Sequence, residues 1–433
     1  MSVFIHGGEI LGPSGLERAD VLITGSSIVG TGLDLPVPDS ARRVDATGCV
    51  VMAGLVDLHT HLREPGTEEA ETIQTGARGA ALGGFTAVVA MPNTQPTIDS
   101  PSMVRDVLAI SEGALCEVVP AAAMTVGREG KLLTPMGELA QMGVRIFTDN
   151  GRGVQDPALM RSIMEYATGV EAVTGGEPIV LAQHCEVEAL SAGGHMHEGE
   201  WSTRLGISGQ PAESETLMMV RDIAFARRTG AHIHFQHVST ADGVDIIRQA
   251  KASGVNVTAE VTTHHFTLTD EACASYDPVF KVTPPLRTAA DVAAIRVGLA
   301  DGTIDCIASD HAPHEPHTKE FPFDHAPAGM LGLETALALA LTELDLPIER
   351  ISELMSAKPA AIAGIGDRHG NPIETGQRAN VVVVDPEAEW TIDGGAMASR
   401  SHNTPYEGRT VTGKVRFTIL DGELTVDDGV ATR

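Results

Sequence analysis

The stretch "VDLHTHLREPG" (Val56–Gly66) places two histidines and an arginine directly after a run of apolar residues. The run Cys49–Leu58 is apolar and rich enough in β-branched residues to predict a buried strand. Because side chains at i and i+2 of a strand share a face, His59, His61 and Arg63 are expected to project together from its end. Two neighbouring imidazoles make half of a metal site, and a fixed cation beside them suits an anionic substrate. Two exposed loop histidines are the alternative interpretation.

Apolar strand-like segments alternate with helix-length segments through the centre of the chain. The strand candidates are Val50–Leu58, Thr86–Met91, Glu117–Ala122, Val144–Thr148, Ile179–Ala182, His232–Gln236, Asn256–Glu260 and Asp305–Ala308. Helix-like segments such as "DPALMRSIMEYATGV" and "TADGVDIIRQAKASG" lie between them. Eight consecutive β–α units predict an α/β fold, with a (β/α)8 TIM barrel as the catalytic domain over residues 51–369.

Both ends of the chain differ from this centre, because they consist of short strand-like runs broken by turns. "SVFIHGGEIL" and "ADVLITGSSIVGTG" lie near the start, and "ANVVVVDPEAEWTID" and "VTGKVRFTILDGELTV" lie near the end. Neither end has much helical periodicity. We therefore expect residues 1–50 and 370–433 to form one small composite β-sandwich domain, built from both termini.

Composition narrows the class of protein. The chain has 433 residues, 42% of them hydrophobic, which is ordinary for a globular protein with a real core. The formal net charge of −28 argues against nucleic acid or an anionic membrane as a partner. Five scattered cysteines without a paired CxxC predict free thiols in a reducing compartment. With no signal-like start in "MSVFIHGGEI", a cytoplasmic location is expected.

Polar residues of metal-binding type follow most of the predicted strands. In a barrel of this kind the active site lies at the C-terminal ends of the strands, so these residues are expected to meet at one rim. They are His59 and His61 after the first strand, Asn93 after the second, Asp149 and Asn150 after the fourth, His184 after the fifth, His237 after the sixth, and Asp310, His311 and His314 after the eighth. Ligands spread so widely in sequence predict a catalytic metal centre rather than a structural zinc site.

The chemistry that follows is hydrolysis, or its reverse, at a carbonyl group. A divalent metal makes water a usable nucleophile near neutral pH. Asp310 is the candidate general base and acid, since it would take a proton from water and return it to a leaving nitrogen. The alternative interpretation of "SDHAPH" is a surface turn formed around Asp and Pro. Arg63 can hold a carboxylate with its planar fork, and the alternative for it is a surface salt bridge.

Seven motifs together resemble the class I dihydroorotases of the amidohydrolase superfamily. They are "DLHTHLREPG", "AMPNT", "HCE", "HVSTADGVD", "TPPLR", "SDHAPH" and "GLET", and the resemblance extends over essentially the whole chain, including the late "SHNTPYEG". The H-x-H pair is shared by the whole superfamily. "LREPG" together with "SDHAPH" and "GLET" narrows the resemblance to the cyclic amidohydrolases.

The resemblance implies a role for each matching residue. His59, His61 and Asp310 would bind one metal ion, and His184 and His237 a second. Arg63, Asn93 and His314 would hold the substrate carboxylate, and the peptide groups of Ala328 and Gly329 would contact the ring amide. The implied reaction is the reversible cyclisation of N-carbamoyl-L-aspartate to L-dihydroorotate in pyrimidine synthesis. Imidazole and carboxylate ligands suit Zn²⁺, and also cobalt or manganese.

Two departures from the family pattern concern the fourth strand and the "TPPLR" segment. Hydantoinases and allantoinase usually bridge two metals with a carboxylated lysine after the fourth strand, but this sequence has no lysine between Lys131 and Lys251. Class I dihydroorotases typically supply an aspartate there, where this chain has Asn150. Either Asp149 turns inward, or Asn150 coordinates through its oxygen, or the second metal binds weakly. Thr283 also replaces an asparagine that is usual before the two prolines, at a substrate-facing position.

Other histidines are expected to be structural or exposed. His264 and His265 follow the seventh strand, where a structural hydrogen bond is the favoured role, and His311 would orient its loop. His195 and His197 form a second H-x-H, but they follow glycines in a polar loop and are expected to be exposed to solvent.

The alternative from another class is a non-catalytic scaffold, in the form of a dihydroorotase-like subunit that associates with aspartate carbamoyltransferase. Retention of His59, His61, His184, His237 and Asp310 favours the enzyme, whereas Asn150 and Thr283 are the features on the scaffold side. Hydantoinase and allantoinase are less favoured alternatives. We also expect the chain to form a homo-oligomer.

Overall fold

A computed structural model describes residues 2–176 and 178–433 and has a mixed α/β architecture. Over these two ranges, the helices fall short of the length and apolarity that a membrane-spanning segment requires. The α-helices are Ile73–Leu82, Pro101–Ile110, Met136–Gln141, Pro157–Val173, Glu188–Ser191, Glu200–Leu205, Glu213–Thr229, Ala241–Ala252, Thr263–Thr267, Ala289–Asp301, Ala336–Glu343, Ile348–Ser352 and Lys358–Ile362.

Each predicted strand segment of the central region overlaps an observed strand, and we call these observed strands the central strands. From first to eighth they are Leu55–Thr60, Phe85–Ala90, Glu117–Pro120, Ile146–Phe147, Val180–Gln183, His232–Phe235, Val257–Thr262 and Cys306–Ala308. The first three form one sheet and the other five form a second, and neighbouring strands run parallel. Isolated bridges link the two sheets, from Ala122 to Phe147 and from Thr60 to His311.

The predicted strand Val50–Leu58 is in fact two strands that belong to different sheets. Val50–Ala53 pairs antiparallel with the strand Val381–Thr391, whereas the first central strand begins at Leu55. The break falls at Gly54, whose backbone packs against the side chain of Thr86. A Cβ atom at Gly54 would lie 2.2 Å from Thr86 Cγ2, so a larger residue does not fit where the chain passes between the two sheets.

Several helices between the central strands begin at a side-chain cap and bury one stripe of residues. Thr240 accepts a hydrogen bond from the Gly243 amide at the start of the helix Ala241–Ala252. That helix buries Val244, Ile247 and Ala250, whose spacing follows the helical repeat. The side chains of these helices and the outward-facing side chains of the central strands form one extensive apolar cluster.

Strands from both ends of the chain share one sheet. In spatial order this sheet contains Val430–Ala431, Glu423–Asp427, Thr410–Leu420, Val381–Thr391, Val50–Ala53, Glu9–Gly12 and Gly15–Arg18. A neighbouring sheet contains Ser27–Gly32, Asp20–Thr24, Ser2–His6 and Arg42–Asp45. A separate apolar cluster unites side chains of both sheets, among them Ile5, Ile23, Val383 and Ile419.

A buried carboxylate fastens the first central strand to the segment after the eighth. Asp57 is fully buried and accepts hydrogen bonds from the Ser309 amide at 2.9 Å, from Ser309 Oγ at 2.5 Å and from Thr60 Oγ1 at 2.5 Å. Burial raises the pKa of Asp57, and these donors oppose that shift. Since His59, His61 and Asp310 lie beside these contacts in sequence, Asp57 fixes the relative position of the two segments that carry them.

A second buried carboxyl lies between the helix layer and the sheet of both termini. Glu334 lines a cavity of about 280 Å³ with Leu337, Trp390 and Val415, and it accepts a hydrogen bond from the Ala398 amide at 2.8 Å. Burial raises the pKa of Glu334 to about 7, with a smaller contribution from the charge of Glu71. The "GLET" motif therefore contributes a structural carboxyl at this position.

Replacing Asp57 with alanine is expected to lower the free energy of unfolding by about 2 to 4 kcal/mol, because Ser309 and Thr60 would lose their buried acceptor. Denaturant midpoints of Asp57→Ala and wild type measure this change. The exposed Asp39 supplies a matched control, Asp39→Ala, which is expected to leave the midpoint close to wild type. Equal midpoints for Asp57→Ala and wild type would contradict the role assigned to this carboxylate.

Glu334→Gln is expected to make the protein relatively more stable at alkaline pH. The pKa of about 7 in the folded state exceeds the usual 4.5, so the folded state binds the proton more tightly than the unfolded state. The stability from this group is present below pH about 4.5 and is lost as pH rises through about 7. Glutamine keeps the acceptor for Ala398 without a titrating proton, so the variant should gain up to about 3 kcal/mol over wild type between pH 5 and pH 8.

Thermal or denaturant midpoints of wild type and Glu334→Gln, each measured at pH 5 and at pH 8, show how far the change in stability between the two pH values differs between the variant and wild type. The same substitution at the exposed Glu374 controls for the loss of one negative charge. A pH profile for Glu334→Gln that runs parallel to that of wild type would show that the Glu334 carboxyl does not titrate in this way.

Candidate metal centre

The C-terminal ends of the central strands surround a cavity of about 380 Å³. Its walls include His61, Arg63, Asn93, His237, Asp310 and His314, so residues that follow four different central strands meet there. The sequence placed these residues at one rim because each follows a strand, and parallel strands end on the same side. Of the residues that the sequence placed at this rim, the cavity is lined by His61, Asn93, Asn150, His184, His237, Asp310 and His314, whereas His59, Asp149 and His311 do not line it.

His59, His61 and Asp310 form a compact group within this region. Their ligand atoms lie within 4.8 Å of one another, and all three residues are buried. His61 Nε2 lies 3.2 Å and His59 Nε2 lies 3.4 Å from the same oxygen, Asp310 Oδ1. Two imidazoles and a carboxylate are a donor set that divalent metals favour, so the residues present fit such an ion.

The charges in and around this group shift the pKa values of its members. Burial by itself lowers the pKa of His59, but the charges of Asp310 and Glu260 outweigh burial and raise that pKa to about 9. Burial would favour protonated Asp310, yet His59 and His61 hold the pKa of this carboxyl well below its usual value. The pKa of His61 falls to about 4 because of burial. The group therefore attracts positive charge, which is the property that a cation site requires.

His184 and His237 form a second pair beside the first group. His184 Nδ1 lies 2.7 Å from His237 Nε2, and the ring of His237 lies 5.3 Å from that of His59. The other nitrogen of His184, Nε2, donates to Glu186 Oε2 at 2.9 Å, which fixes the orientation of this ring. The structure thus brings together the two histidines that the sequence paired, at a position adjacent to the first group.

Asp149 lies outside this constellation, and the expectation that it turns inward is wrong for the structure. Its carboxylate accepts hydrogen bonds from the amide and the hydroxyl of Thr125, and it does not line the cavity. Asn150 lines the cavity instead, and its amide nitrogen lies 2.8 Å from His59 Nε2 and 3.3 Å from Gln236 Oε1. A neutral amide therefore occupies the position beside the histidines where a carboxylate would add charge.

The predicted substrate-binding side chains line one wall of the cavity. Arg63 Nε donates to the Pro313 carbonyl at 3.0 Å, and a second guanidinium nitrogen lies 3.4 Å from His314 Nε2. Burial lowers the pKa of Arg63 to about 10, so the side chain keeps its positive charge at neutral pH. Burial and the Arg63 charge lower the pKa of His314 to about 3, and His314 is therefore neutral. Asn93 Oδ1 lies 2.9 Å from His61 Nδ1, so Asn93 also orients a candidate ligand.

Ala328, Gly329 and Thr283 complete this wall. His314 Nε2 donates to the Ala328 carbonyl at 2.8 Å, and the Gly329 amide donates to the Lys281 carbonyl at 2.9 Å. At Gly329, φ is +141°, and a Cβ atom would lie 2.8 Å from His314 Nε2. Glycine is therefore required for the close approach of this loop to His314.

Backbone strain is concentrated at the same place. Arg63, His237 and Asp310 have φ values of 63°, 35° and 44°, a region that residues with a Cβ atom seldom occupy. Such conformations cost about 1–3 kcal/mol each and persist where the surroundings hold them. Here they turn side chains away from the strand direction and toward the cavity.

Asn403 and Arg287 are two residues that the sequence analysis did not assign. Asn403 Nδ2 donates to the carbonyls of Ala312 and Gly329 at 3.0 and 3.1 Å, which joins the two loops that carry substrate-facing residues. The "SHNTPYEG" motif was a signal for it. Arg287, from "TPPLR", donates to His197 Nδ1 at 3.0 Å and to the Gln210 carbonyl at 3.1 Å.

Three further histidines have structural partners. His197 is buried and hydrogen-bonded to Arg287, so its predicted exposure is wrong. It belongs to the short strand Met196–His197, which pairs with Gly209–Gln210. His265 Nε2 donates to the Pro284 carbonyl at 3.0 Å, as expected for a structural histidine. His311 Nε2 lies 3.3 Å from Glu71 Oε2, and its carbonyl accepts from the His61 amide at 2.9 Å, so His311 orients its loop.

The chain is similar in sequence to dihydroorotases over nearly its whole length. A family model described as dihydro-orotase-like matches residues 48–243. A dihydroorotase of Mycobacterium leprae is 46% identical over 432 residues, with 98% of each chain covered. Dihydroorotases of Streptomyces coelicolor and Pelotomaculum thermopropionicum are 45% and 44% identical, and each match covers 99% of this chain and at least 99% of the relative.

Solved structures of similar fold include hydantoinases and dihydropyrimidinases. L-hydantoinase (dihydropyrimidinase) from Arthrobacter aurescens superposes with a TM-score of 0.88 at 23% identity, over 100% of this chain and 97% of that one. Dihydropyrimidinase from Brevibacillus agri gives a TM-score of 0.85 at 22% identity, over 100% and 96% of the two chains. At these identities the likeness shows that the chain shares its α/β fold with these proteins, and it shows no more than the fold.

Proposed function

The chain belongs to the dihydroorotase family, and on that premise we propose that it interconverts N-carbamoyl-L-aspartate with L-dihydroorotate and water in de novo pyrimidine biosynthesis. The observation that carries this proposal is the placement of Arg63 in the same cavity as His61 and Asp310. The candidate metal ligands suit hydrolysis of a cyclic amide. The guanidinium beside them suits a substrate that also carries a carboxylate. The five cysteines, all buried and free in the described chain, are consistent with the cytoplasm as its location.

We propose a closed (β/α)8 barrel with a composite β-sandwich domain built from both termini. The sequence assigned residues 51–369 to the barrel and residues 1–50 and 370–433 to the sandwich. The bridges at Ala122 and Thr60 support closure, since they link the two central sheets at both of their edges. The shared apolar cluster supports the sandwich. Because Val50–Ala53 pairs with Val381–Thr391, the boundary at residue 50 shifts to Gly54 in this proposal.

Zn²⁺ is the metal that we propose for the group of His59, His61 and Asp310, with His184 and His237 as a second, weaker site. When bound, such an ion polarises the scissile carbonyl group and makes water a stronger acid. Asn93 and Glu186 orient the ligand imidazoles through their second nitrogen atoms. Asn150 leaves the second site without the carboxylate that would complete it.

We assign the orientation of the substrate to the wall of the cavity that contains Arg63, Asn93 and His314. The Arg63 guanidinium, assisted by the amide of Asn93, holds the substrate carboxylate. The neutral His314 donates its one N–H to the Ala328 carbonyl, so His314 acts on the carboxylate only by supporting this wall of the cavity. Since the Gly329 amide is bonded to Lys281, we assign the ring-amide contact to the Ala328 peptide and the Gly329 carbonyl. Thr283 offers a hydroxyl at the same wall.

Asp310 carries the proton in this mechanism. Its Oδ1 atom faces both imidazoles, whereas Oδ2 makes no hydrogen bond within the described residues. Oδ2 is thus the atom that we assign to take a proton from the attacking water and deliver it to the departing ring nitrogen. The low pKa of this carboxyl keeps it ionised at neutral pH, which is the form that a general base requires.

The purified protein is expected to open L-dihydroorotate, followed by ultraviolet absorbance, and a chelator is expected to abolish this turnover. Asp310→Asn is expected to lower kcat by about 10²–10⁴-fold, because the variant cannot accept the proton. Asp106→Asn, on the exposed face of a helix, is the matched control and should retain wild-type kcat.

Hydantoin and allantoin, tested in parallel, separate the alternatives. Turnover of hydantoin without turnover of dihydroorotate would overturn the proposed substrate. No turnover of any substrate at saturating Zn²⁺, with activity gained by aspartate carbamoyltransferase in its presence, would favour the scaffold alternative.

Asn150→Asp is expected to raise the affinity of the second metal site by at least about tenfold, since a carboxylate supplies charge where the amide does not. Metal content measured by mass spectrometry after dialysis at fixed free Zn²⁺ tests this expectation, and wild type should retain about one ion per chain. The exposed Asn256 supplies the control Asn256→Asp, which adds the same charge elsewhere. Two tightly held ions in wild type would contradict the assignment.

A further inference from the structure

Glu260 is a buried carboxylate that contacts three histidines on two segments of the chain from inside the fold. It belongs to the seventh central strand and is 0% exposed. Its Oε1 atom accepts from His59 Nδ1 at 2.7 Å and from the His237 amide at 3.4 Å. Its Oε2 atom lies 3.1 Å from His234 Nε2. One carboxylate therefore contacts a candidate ligand of the first metal and the backbone of a candidate ligand of the second.

The bond to His59 decides which nitrogen of that ring faces the metal group. With Nδ1 donating to Glu260, Nε2 points toward Asp310 Oδ1, from which it lies 3.4 Å away. A rotation of the ring by half a turn would break the 2.7 Å bond and leave the buried carboxylate without this partner. Glu260 thus permits one ring orientation, in which the metal-binding lone pair belongs to Nε2.

Glu260 is itself held from the side away from the cavity. His234 on the sixth central strand faces it through Nε2, and His234 Nδ1 lies 2.9 Å from Thr258 Oγ1. The chain of contacts from Thr258 through His234 and Glu260 to His59 crosses the interior between the seventh, sixth and first central strands. A buried carboxylate with partners on both oxygens has little freedom to move, because each alternative position would leave a polar atom unpaired.

We propose that Glu260 is a positioning residue that sets the metal affinity of the centre, by holding His59 Nε2 toward the cation and by fixing the backbone of His237. This inference rests on the metal centre of the proposed function and assigns Glu260 no contact with substrate. Its action is geometric, so a substitute must place an acceptor at the same distance from His59 Nδ1. Negative charge at a different distance would not serve.

Two conservative variants separate geometry from charge. Glu260→Gln keeps an acceptor oxygen at the same reach but loses the charge, whereas Glu260→Asp keeps the charge and withdraws the oxygens by about 1.5 Å. We expect the zinc dissociation constant, measured by competition with a chromogenic chelator, to rise about tenfold in Glu260→Gln and about a hundredfold in Glu260→Asp. The visible spectrum of the cobalt(II)-substituted protein is expected to change more in Glu260→Asp than in Glu260→Gln.

Glu215→Gln is the matched control, because Glu215 is also buried and accepts several hydrogen bonds from Ser239 and Thr240 without contacting a histidine. It is expected to lower stability while leaving the zinc dissociation constant and the cobalt spectrum unchanged. Should Glu260→Gln fail to fold, His234→Gln loosens Glu260 from the far side and is expected to weaken zinc binding a few-fold.

The reverse order, with Glu260→Asp binding zinc more tightly than Glu260→Gln, would overturn the inference in favour of a charge effect. Wild-type zinc affinity in folded Glu260→Asp, or in folded His234→Gln if Glu260→Asp does not fold, would overturn it outright. Failure of wild type to turn over dihydroorotate would refute the proposed substrate but leave these metal measurements interpretable, so the two failures are distinguishable.

Discussion

The imidazole of His59 lies between two buried carboxylates, and the rest of the site is arranged around that contact. Glu260 meets its Nδ1 atom at 2.7 Å and Asp310 lies 3.4 Å from its Nε2 atom. Two carboxylates in an interior of low polarity require positive charge between them, and His59 supplies it when its pKa is raised to about 9. The first, seventh and eighth central strands must therefore keep a relative position that satisfies both contacts at once. The hydrogen bond from the Ser309 amide to Asp57 also holds the first central strand in a fixed position relative to the segment after the eighth.

This constraint explains why strained backbone is tolerated at the cavity. A strand alone alternates its side chains, so successive residues at its end cannot all face one centre. The positive φ values of Arg63, His237 and Asp310 overcome that limit. Hydrogen bonds of the surrounding loops, such as those that Asn403 donates to Ala312 and Gly329, hold these conformations in place. The segment containing Asn403 comes from the C-terminal part of the chain, so this region contributes to the geometry of a site formed by the central strands.

Sequence patterns predicted the central strands well, because apolar runs at regular spacing report burial directly. They also located His59, His61 and Asp310, since each follows such a run. The break at Gly54 was not predictable from apolarity, because both halves of the run are buried and the cause is contact with Thr86. Nor could the sequence choose between Asp149 and Asn150. The fourth central strand has two residues, Ile146–Phe147, and so short a strand does not fix which side chain that follows it faces inward.

Glu260 escaped notice for a related reason. A charged residue is usually exposed, so the predicted seventh strand ended at Glu260, whereas the strand continues to Thr262 and buries that carboxylate completely. Buried charge can be recognised only when its partners are known, and His59 and His234 are distant from Glu260 in sequence. The same holds for His197, whose partner Arg287 is 90 residues away.

The distribution of charge also bears on which cyclic amide the cavity suits. The chain carries a net charge of −28, yet the wall that bears the buried Arg63 is flanked by Lys281 and Lys319. Lys319 donates to the Pro327 carbonyl next to Ala328, and burial, reinforced by Lys281, lowers the pKa of Lys319 to about 7. Lys281 adds positive charge near Arg63, which Asp324 balances in part, and an anionic ligand balances the charge of Arg63 further. Hydantoin is neutral, whereas dihydroorotate carries one carboxylate and N-carbamoyl-L-aspartate carries two, so this wall favours the carboxylated pair on electrostatic grounds alone.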